Sequence, residues 1–308
     1  MIVDVSIIIP AYNRLWSLPK AINSCFNTSL NVEVIVIDDG STDGTWEWLA
    51  QQENIVAIRQ DNMGKDWAVN KGFLVAKGKY IRFLDSDDWL LPGSSDKLFS
   101  EAEKSRLDIT CAGFQVYNED ETLINEIAWT ACDDFLAQQL GECDSSHYSA
   151  YLFKKEFIND IPHRQEYGAF DDRKFIIEAA MKQPKTGYIE GPAFAHRAHS
   201  KERLQKTTGL QLHANHLSLL NIYKKCFAIL ALNGVLTQRY KNAACNTLWH
   251  LAHWVAKTHL HDGEEIYNWV YKLNPDFLPV GNFALARLYK NFGFTKTERL
   301  LKIIRSFK

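Results

Sequence analysis

Residues 80–89 read YIRFLDSDDW, an apolar, strand-forming run that stops abruptly at Asp85, Ser86, Asp87 and Asp88. Residues 32–39, VEVIVIDD, repeat the plan upstream: a β-branched run closed by Asp38 and Asp39. Strands buried on both faces of a parallel sheet read as near-continuous apolar runs. Ligands of open α/β sheets gather where such strands end. Two carboxylate clusters delivered to one sheet edge repel each other unless something positive sits between them. A hard divalent cation holding a diphosphate is such a partner. The two stretches together predict a site for nucleotide diphosphates.

Outward from these stretches the chain alternates strand-like and helix-like segments. VSIII is followed by a helix over Leu18–Phe26, VEVIVI by a helix over Thr45–Gln51, NIVAIR by a helix over Asp66–Ala76, and YIRFL by a helix over Ser94–Lys104. This order implies right-handed βαβ units and a mainly parallel sheet. In DGSTDG, Ser41, Thr42 or Asp43 is available as a helix cap. The pattern then loosens, with strands expected near ITCAGFQVY (Ile109–Tyr117) and SAYLFK (Ser149–Lys154) and a helix over Asp172–Met181. Beyond about Ser200 apolar residues recur at three- and four-residue spacing, as in LSLLNIYKKCFAIL and TERLLKIIRSF, which predicts an all-helical region. The expected division is therefore an α/β domain over 1–200 and a basic, aromatic-rich helical region over 201–308.

Composition bounds the rest. The 308 residues are 46% hydrophobic and 23% charged, ordinary for a soluble protein. The net charge of −2 conceals an asymmetry: residues 1–200 carry −12 and residues 201–308 carry +10. The six cysteines are scattered without metal-type spacing, as expected of reduced thiols in a cytoplasmic protein. The opening run VSIIIP is too short and too early for a signal peptide, and no apolar stretch reaches the ~18 residues of a membrane span.

In order and spacing, VSIIIPAYNR, VIVIDDGSTDGT and YIRFLDSDDW resemble the family 2 glycosyltransferases, inverting sugar transferases with the GT-A fold. The resemblance covers roughly residues 1–200 and implies roles residue by residue. Pro10, Ala11, Tyr12 and Asn13 would line the nucleotide pocket, with Tyr12 against the base. Asp39 would accept hydrogen bonds from the base, as a carboxylate accepts only. Asp38 would touch the ribose or tie down its loop. Asp85 and Asp87, flanking Ser86, correspond to the DxD motif, Asp85 on the ribose side and Asp87 on a Mg²⁺ or Mn²⁺ that bridges the donor's phosphates. Asp88 would add an outer contact or cap the turn. Gly64, in DNMGKDW, would let backbone approach the ligand, and Lys65 would meet phosphate or stand solvated at a helix start.

The acidic pair in AFDDRKF (Ala169–Phe175) matches the family's base segment, except that Asp171 stands where glutamate is usual. Aligned on the helix, Asp172 is the base and Asp171 orients the acceptor or the loop. AHRAHS (Ala195–Ser200) resembles the family's aromatic-Arg-x-His stretch after the last strand. It offers Arg197 to the diphosphate and His199 to the metal or a phosphate, and His196 stands where an aromatic is common. The Gln-x-x-Arg-Trp pattern of processive members is absent. Each of these segments also has a plainer reading as a turn or a helix cap.

The expected activity is transfer of a sugar from a nucleotide-sugar donor, a UDP-sugar first, to a glycan or lipid-linked saccharide for a cell-surface polysaccharide. An inactive nucleotide-binding scaffold and a nucleotidyltransferase are the alternatives. The latter would carry a Gly-rich basic loop after strand one, which PAYNR lacks. At the other end, FGFTKTERLLKIIRSFK sets Leu300, Leu301, Ile303, Ile304 and Phe307 among Lys296, Arg299, Lys302, Arg305 and Lys308. Such a helix can lie on an anionic membrane at the inner face, pack on the domain, or meet a second copy in a homodimer.

Overall fold

The computed structural model describes residues 2–199, 209–279 and 281–306; Ser200, Phe307 and Lys308 lie outside the described residues. In chain order the elements of the first half are β1 (Val5–Ala11), α1 (Leu18–Cys25), β2 (Val32–Asp38), α2 (Thr45–Leu49), β3 (Val56–Arg59), α3 (Lys65–Val75), β4 (Tyr80–Phe83), β5 (Trp89–Leu90), α4 (Ser94–Ser105), β6 (Ile109–Tyr117) and β7 (Leu123–Ile127). There follow α5 (Phe135–Leu140), β8 (Leu152–Lys154), α6 (Lys155–Ile158), α7 (Asp171–Met181) and β9 (Thr186–Arg197). Among the described residues five helices follow: α8 (Gly209–Leu232), α9 (Gln238–Ala256), α10 (Leu260–Leu273), α11 (Phe283–Phe292) and α12 (Phe294–Ser306).

The strands form one mixed, mostly parallel sheet in the order β3-β2-β1-β4-β8-β6-β9-β5, with β7 on β6. β3, β2, β1 and β4 run parallel, so their carboxyl ends share one edge. The antiparallel β8 joins β4 to β6, and β9 then runs parallel to β6. Val5, Ile7, Ile8, Ile9, Ile35, Val36 and Ile37 are fully buried, as strands covered on both faces require. Crossover helices α1 and α3 supply that cover, the latter so closely that a Cβ on Gly72 would come 2.6 Å from Ile8.

Several details depart from the sequence reading. Pro10 does not stop β1; the strand runs on to Ala11, paired with Asp38. The pairing of β1 with β4 ends at Ile8, so Pro10 lacks a partner only on the side where none is needed. Gly44, with φ 91°, stands at the start of α2, and Asp43 accepts from Thr45 N instead of capping from that position. A short 3-10 turn over Tyr148–Ala150 takes up the first two residues of SAYLFK, leaving Leu152–Lys154 as strand. Ala195, His196 and Arg197 belong to β9 itself, whereas the AHRAHS segment was expected after the last strand.

By internal packing the chain divides into two compact units. One comprises residues up to 133, 145–166 and 171 to the end of β9; the other comprises Asp134–Asp144, Tyr167–Phe170 and the helices from α8 onward. Within the second unit, Trp249, Leu248, Leu251 and Val255 of α9 are fully buried. The hydroxyl of Tyr223 donates to the Leu140 carbonyl, which ties α8 to the end of α5. All six cysteines are unbridged. No helix among the described residues is long and apolar enough to cross a membrane.

Candidate active site

Three loops leave the shared sheet edge and lock to one another. After β1, Asn13 takes a left-handed conformation (φ 52°); its N–H donates to Ser41 Oγ and its Oδ1 accepts from Thr42 N. Asparagine tolerates that backbone where most residues do not. The loop after β2 is thus held by the loop after β1. Tyr12, the next residue after β1, is 42% exposed.

Asp38 and Asp39 turn to different tasks. Asp38 is fully buried, pairs with Arg59 Nε at 3.4 Å and accepts from Ser41 N. Its Oδ1 is buried with no hydrogen-bond partner, a lone pair left for a ligand's donor. Asp39 accepts from Gln60 Nε2 at 2.8 Å, Met63 N at 2.9 Å and Gly64 N at 2.8 Å. It therefore shapes the loop that starts α3. Gly64 stands there at φ 102°, ψ 159°, a region essentially confined to glycine.

The carboxylates after β4 are held from several sides. Ser17 Oγ donates to the Ser86 carbonyl at 2.8 Å. Asp87 Oδ2 lies 2.9 Å from His199 Nε2 and 3.9 Å from Arg14 Nε. Asp88 is buried; it accepts from Arg197 N at 2.8 Å and lies 3.1 Å from His196 Nδ1. Arg197 directs its Nε to the Asp87 carbonyl and its Nη2 to Glu121, so it braces the DSDD turn. Ligand atoms of Asp88, His147 and His196 lie within 4.8 Å of one another. Carboxylate oxygens suit Mg²⁺ or Mn²⁺. The Asp87–His199 pair is the one of these that faces Arg14 and the first loop.

The remaining carboxylates come from α7. Asp171 and Asp172 occupy its first turn, where the helix dipole favours negative charge. Asp171 is buried, bonded to His163 Nδ1, and accepts from Arg164 N at 2.8 Å. His163 reaches Tyr148 Oη at 2.8 Å with its other nitrogen and stacks on Phe175. Asp172 points the other way, its side chain 26% exposed, and meets Lys65 Nζ at 2.9 Å. Lys65 Nζ also lies 2.7 Å from Asp85 Oδ1. Burial works against the Lys65 charge, but Asp172 and Asp85 outweigh it and hold the ammonium well above the usual lysine range. Burial likewise opposes the charge on Asp85, yet Lys65 and then His147 draw its pKa down to about 2.

Sequence reading missed His163, Tyr148, His147, Arg14 and Asp66. Arg14 and Asp66 lie inside quoted segments but had no role assigned, and His147, Tyr148 and His163 stand in no recognisable motif; only folding brings residues 66, 148, 163 and 171 together. Burial, and then the neighbouring Asp171, raise the Asp66 pKa to about 7. A carboxyl whose folded pKa lies above its unfolded value contributes stability in acid that is lost as pH rises through the folded value. Between about pH 4 and about pH 7 this contribution disappears. Asp66→Asn should therefore raise the melting temperature relative to the parent more at pH 8 than at pH 5. A difference that does not change with pH would contradict the raised pKa.

A hollow lined by Gly78, Lys79, Lys154, Lys155, Glu156 and Asn159 lies at the amino-terminal end of β4, away from these groups.

The chain matches known proteins over this region. The family model described as Glycosyl transferase family 2 matches residues 6–158. The chain is 27% identical over 217 residues to "Glycosyltransferase GlyG" of Streptococcus pneumoniae, which covers 64% of this chain and 71% of that protein. Among solved structures, S. aureus TarS in complex with UDP-GlcNAc superposes with a TM-score of 0.56 at 15% identity, covering 99% of this chain and 92% of that one. The mannosyltransferase PcManGT of Pyrobaculum calidifontis, in complex with GDP-Man and Mn²⁺, gives 0.52 at 15% identity, covering 98% and 84%. At such identity the structural likeness speaks for the fold alone.

Proposed function

This chain belongs to glycosyl transferase family 2 and is a glycosyltransferase, and we propose that it transfers the sugar of a nucleotide-sugar donor with inversion to an acceptor hydroxyl. The observation that carries this reading is the placement of Asp172, across the sheet edge from Asp85 and joined to it through one lysine, with Asp87 beside an imidazole. Asp87 and His199 would hold Mg²⁺ or Mn²⁺, which when bound supplies positive charge to a departing diphosphate. Asp38, Asp39 and Tyr12 hold the nucleoside end. Asp172 takes the acceptor proton as the hydroxyl oxygen bonds to the anomeric carbon, and the bond from that carbon to the diphosphate breaks with its electron pair on the phosphate oxygen. Attack opposite the leaving group inverts the centre.

Uridine is the proposed base, in line with the UDP-GlcNAc held by TarS, and the acceptor is a glycan or lipid-linked saccharide in surface polysaccharide synthesis. Thermal melting with UDP, GDP, CDP, ADP and dTDP, each with Mn²⁺ and with EDTA, tests the donor. UDP should raise stability only with the metal, by about 2.7 kcal/mol at a hundredfold excess over Kd. A rise with GDP alone would move the donor to guanosine. No rise with any nucleotide would leave an inactive scaffold as the better reading.

A lipid-linked acceptor makes the membrane a partner, and α12 has the surface for it. Phe294, Thr297 and Glu298 are its buried face. Leu300, Ile303 and Ile304 are 48–55% exposed, with Lys296, Arg299 and Lys302 exposed around them. A two-fold contact between copies through this face would bring like charges together, whereas anionic lipid complements them. The protein should sediment with phosphatidylglycerol vesicles, and Ile303→Asp should release it. Equal recovery with phosphatidylcholine, or none with either, would exclude this contact.

A further inference from the structure

We propose that Lys65 guards the base: its ammonium occupies Asp172 until an acceptor hydroxyl displaces it, so that a bound donor is not lost to water. The inference rests on Asp172 being the base. Three observations carry it. Lys65 Nζ lies 2.9 Å from Asp172 Oδ2, so that oxygen is engaged by an N–H donor in the absence of acceptor. The same Nζ lies 2.7 Å from Asp85 Oδ1, so Lys65 can surrender Asp172 without losing a charge partner. The side chains of Lys65, Asp85 and Asp172 are 21%, 25% and 26% exposed, which leaves the cluster open to both water and substrate.

Electrostatics keep the guard in place when the donor arrives. A diphosphate carrying two negative charges together with a divalent cation is close to neutral, so it has little net pull on the ammonium. An acceptor hydroxyl instead competes directly at Asp172, offering its own O–H while Lys65 falls back on Asp85. Without the ammonium, Asp172 is free to take a proton from water. The water oxygen then bonds to the anomeric carbon, the carbon–phosphate oxygen bond breaks with its pair on the diphosphate, and free sugar and nucleoside diphosphate result. Lysine at position 65 thus acts on selectivity between acceptor and water, through Asp172, as a positioning residue.

The test is acceptor-independent hydrolysis by the full chain with Mn²⁺, on whichever of UDP-GlcNAc, UDP-glucose and GDP-mannose the parent protein binds by calorimetry. Lys65→Met should raise hydrolysis at least ~10-fold, a fraction of what a general base supplies. Adding Asp172→Asn should return it to the parent level, and Lys65→Arg should keep it low. A purely structural loss would lower hydrolysis, not raise it. Should the methionine variant fail to fold, Lys65→Gln serves in the same comparison. Parent-level hydrolysis in a variant that binds the donor normally would overturn the proposal, as would fast hydrolysis that survives Asp172→Asn. Transfer by Asp172→Asn alone reports separately on the base assignment.

Discussion

Asp172→Asn should leave UDP binding nearly intact and lower sugar transfer by at least ~10², the scale on which a positioned general base contributes. The amide is isosteric with the carboxylate but cannot accept the acceptor's proton. Asp172 is partly exposed and pairs with Lys65, which keeps Asp85 as a second partner, so the change opens no cavity and strands no buried charge. Asp171 makes the contrast. It is buried against His163 and the Arg164 N–H, and Asp171→Asn should act on stability, because a buried acceptor of two donors is lost. Transfer at near-normal rate by Asp172→Asn would hand the base role to another group and remove the mechanism proposed here.

Asp87→Ala should abolish the Mn²⁺-dependent part of UDP binding, and EDTA should make the parent protein behave like the variant. Asp87 Oδ2 stands 2.9 Å from His199 Nε2, with only 14% of its side chain exposed. Removing it takes away the carboxylate that would neutralise the cation and leaves the pair with the His199 imidazole alone. Asp88 cannot substitute, because it is buried and already accepts from the Arg197 N–H beside His196. Unchanged UDP affinity with Mn²⁺ in Asp87→Ala would take the metal away from this residue. Calorimetry on the two proteins, with and without chelator, decides it.

The sheet edge was legible because local chemistry and tertiary position coincide there. VEVIVIDD and YIRFLDSDD each end a buried parallel strand at the point where carboxylates begin, and β2 and β4 end at Asp38 and Phe83. The mainly parallel α/β sheet and the helical C-terminal region follow from the same alternation of periods. β9 was not legible: TGYIEGPAFAHR carries two glycines and a proline, and its pairing with β6 slips twice, so no regular alternation reaches the sequence. β5 is two residues long and is defined only by its partner strand. Asp134–Asp144 pack with the C-terminal helices across a long stretch of sequence, as the Arg239–Glu142 ion pair, 97 residues apart, illustrates.

What the sequence determined alone is where charge ends each buried strand, because an apolar run and the acids that stop it are local features of the chain. It also placed two acids at the start of α7, for the same reason. Which of the two faces the site was decided only by folding: His163, itself held by Tyr148, and the distant Asp66 claim Asp171, and Asp172 is left to the opening. Lys65 is the sharpest case. A lysine after a glycine at a helix start reads as solvated or as a phosphate contact. The start of α3, held by Asp39, sets its ammonium between two carboxylates about twenty and a hundred residues away. Pairing energy between charges depends on distance in space, and no pattern along the chain encodes that distance.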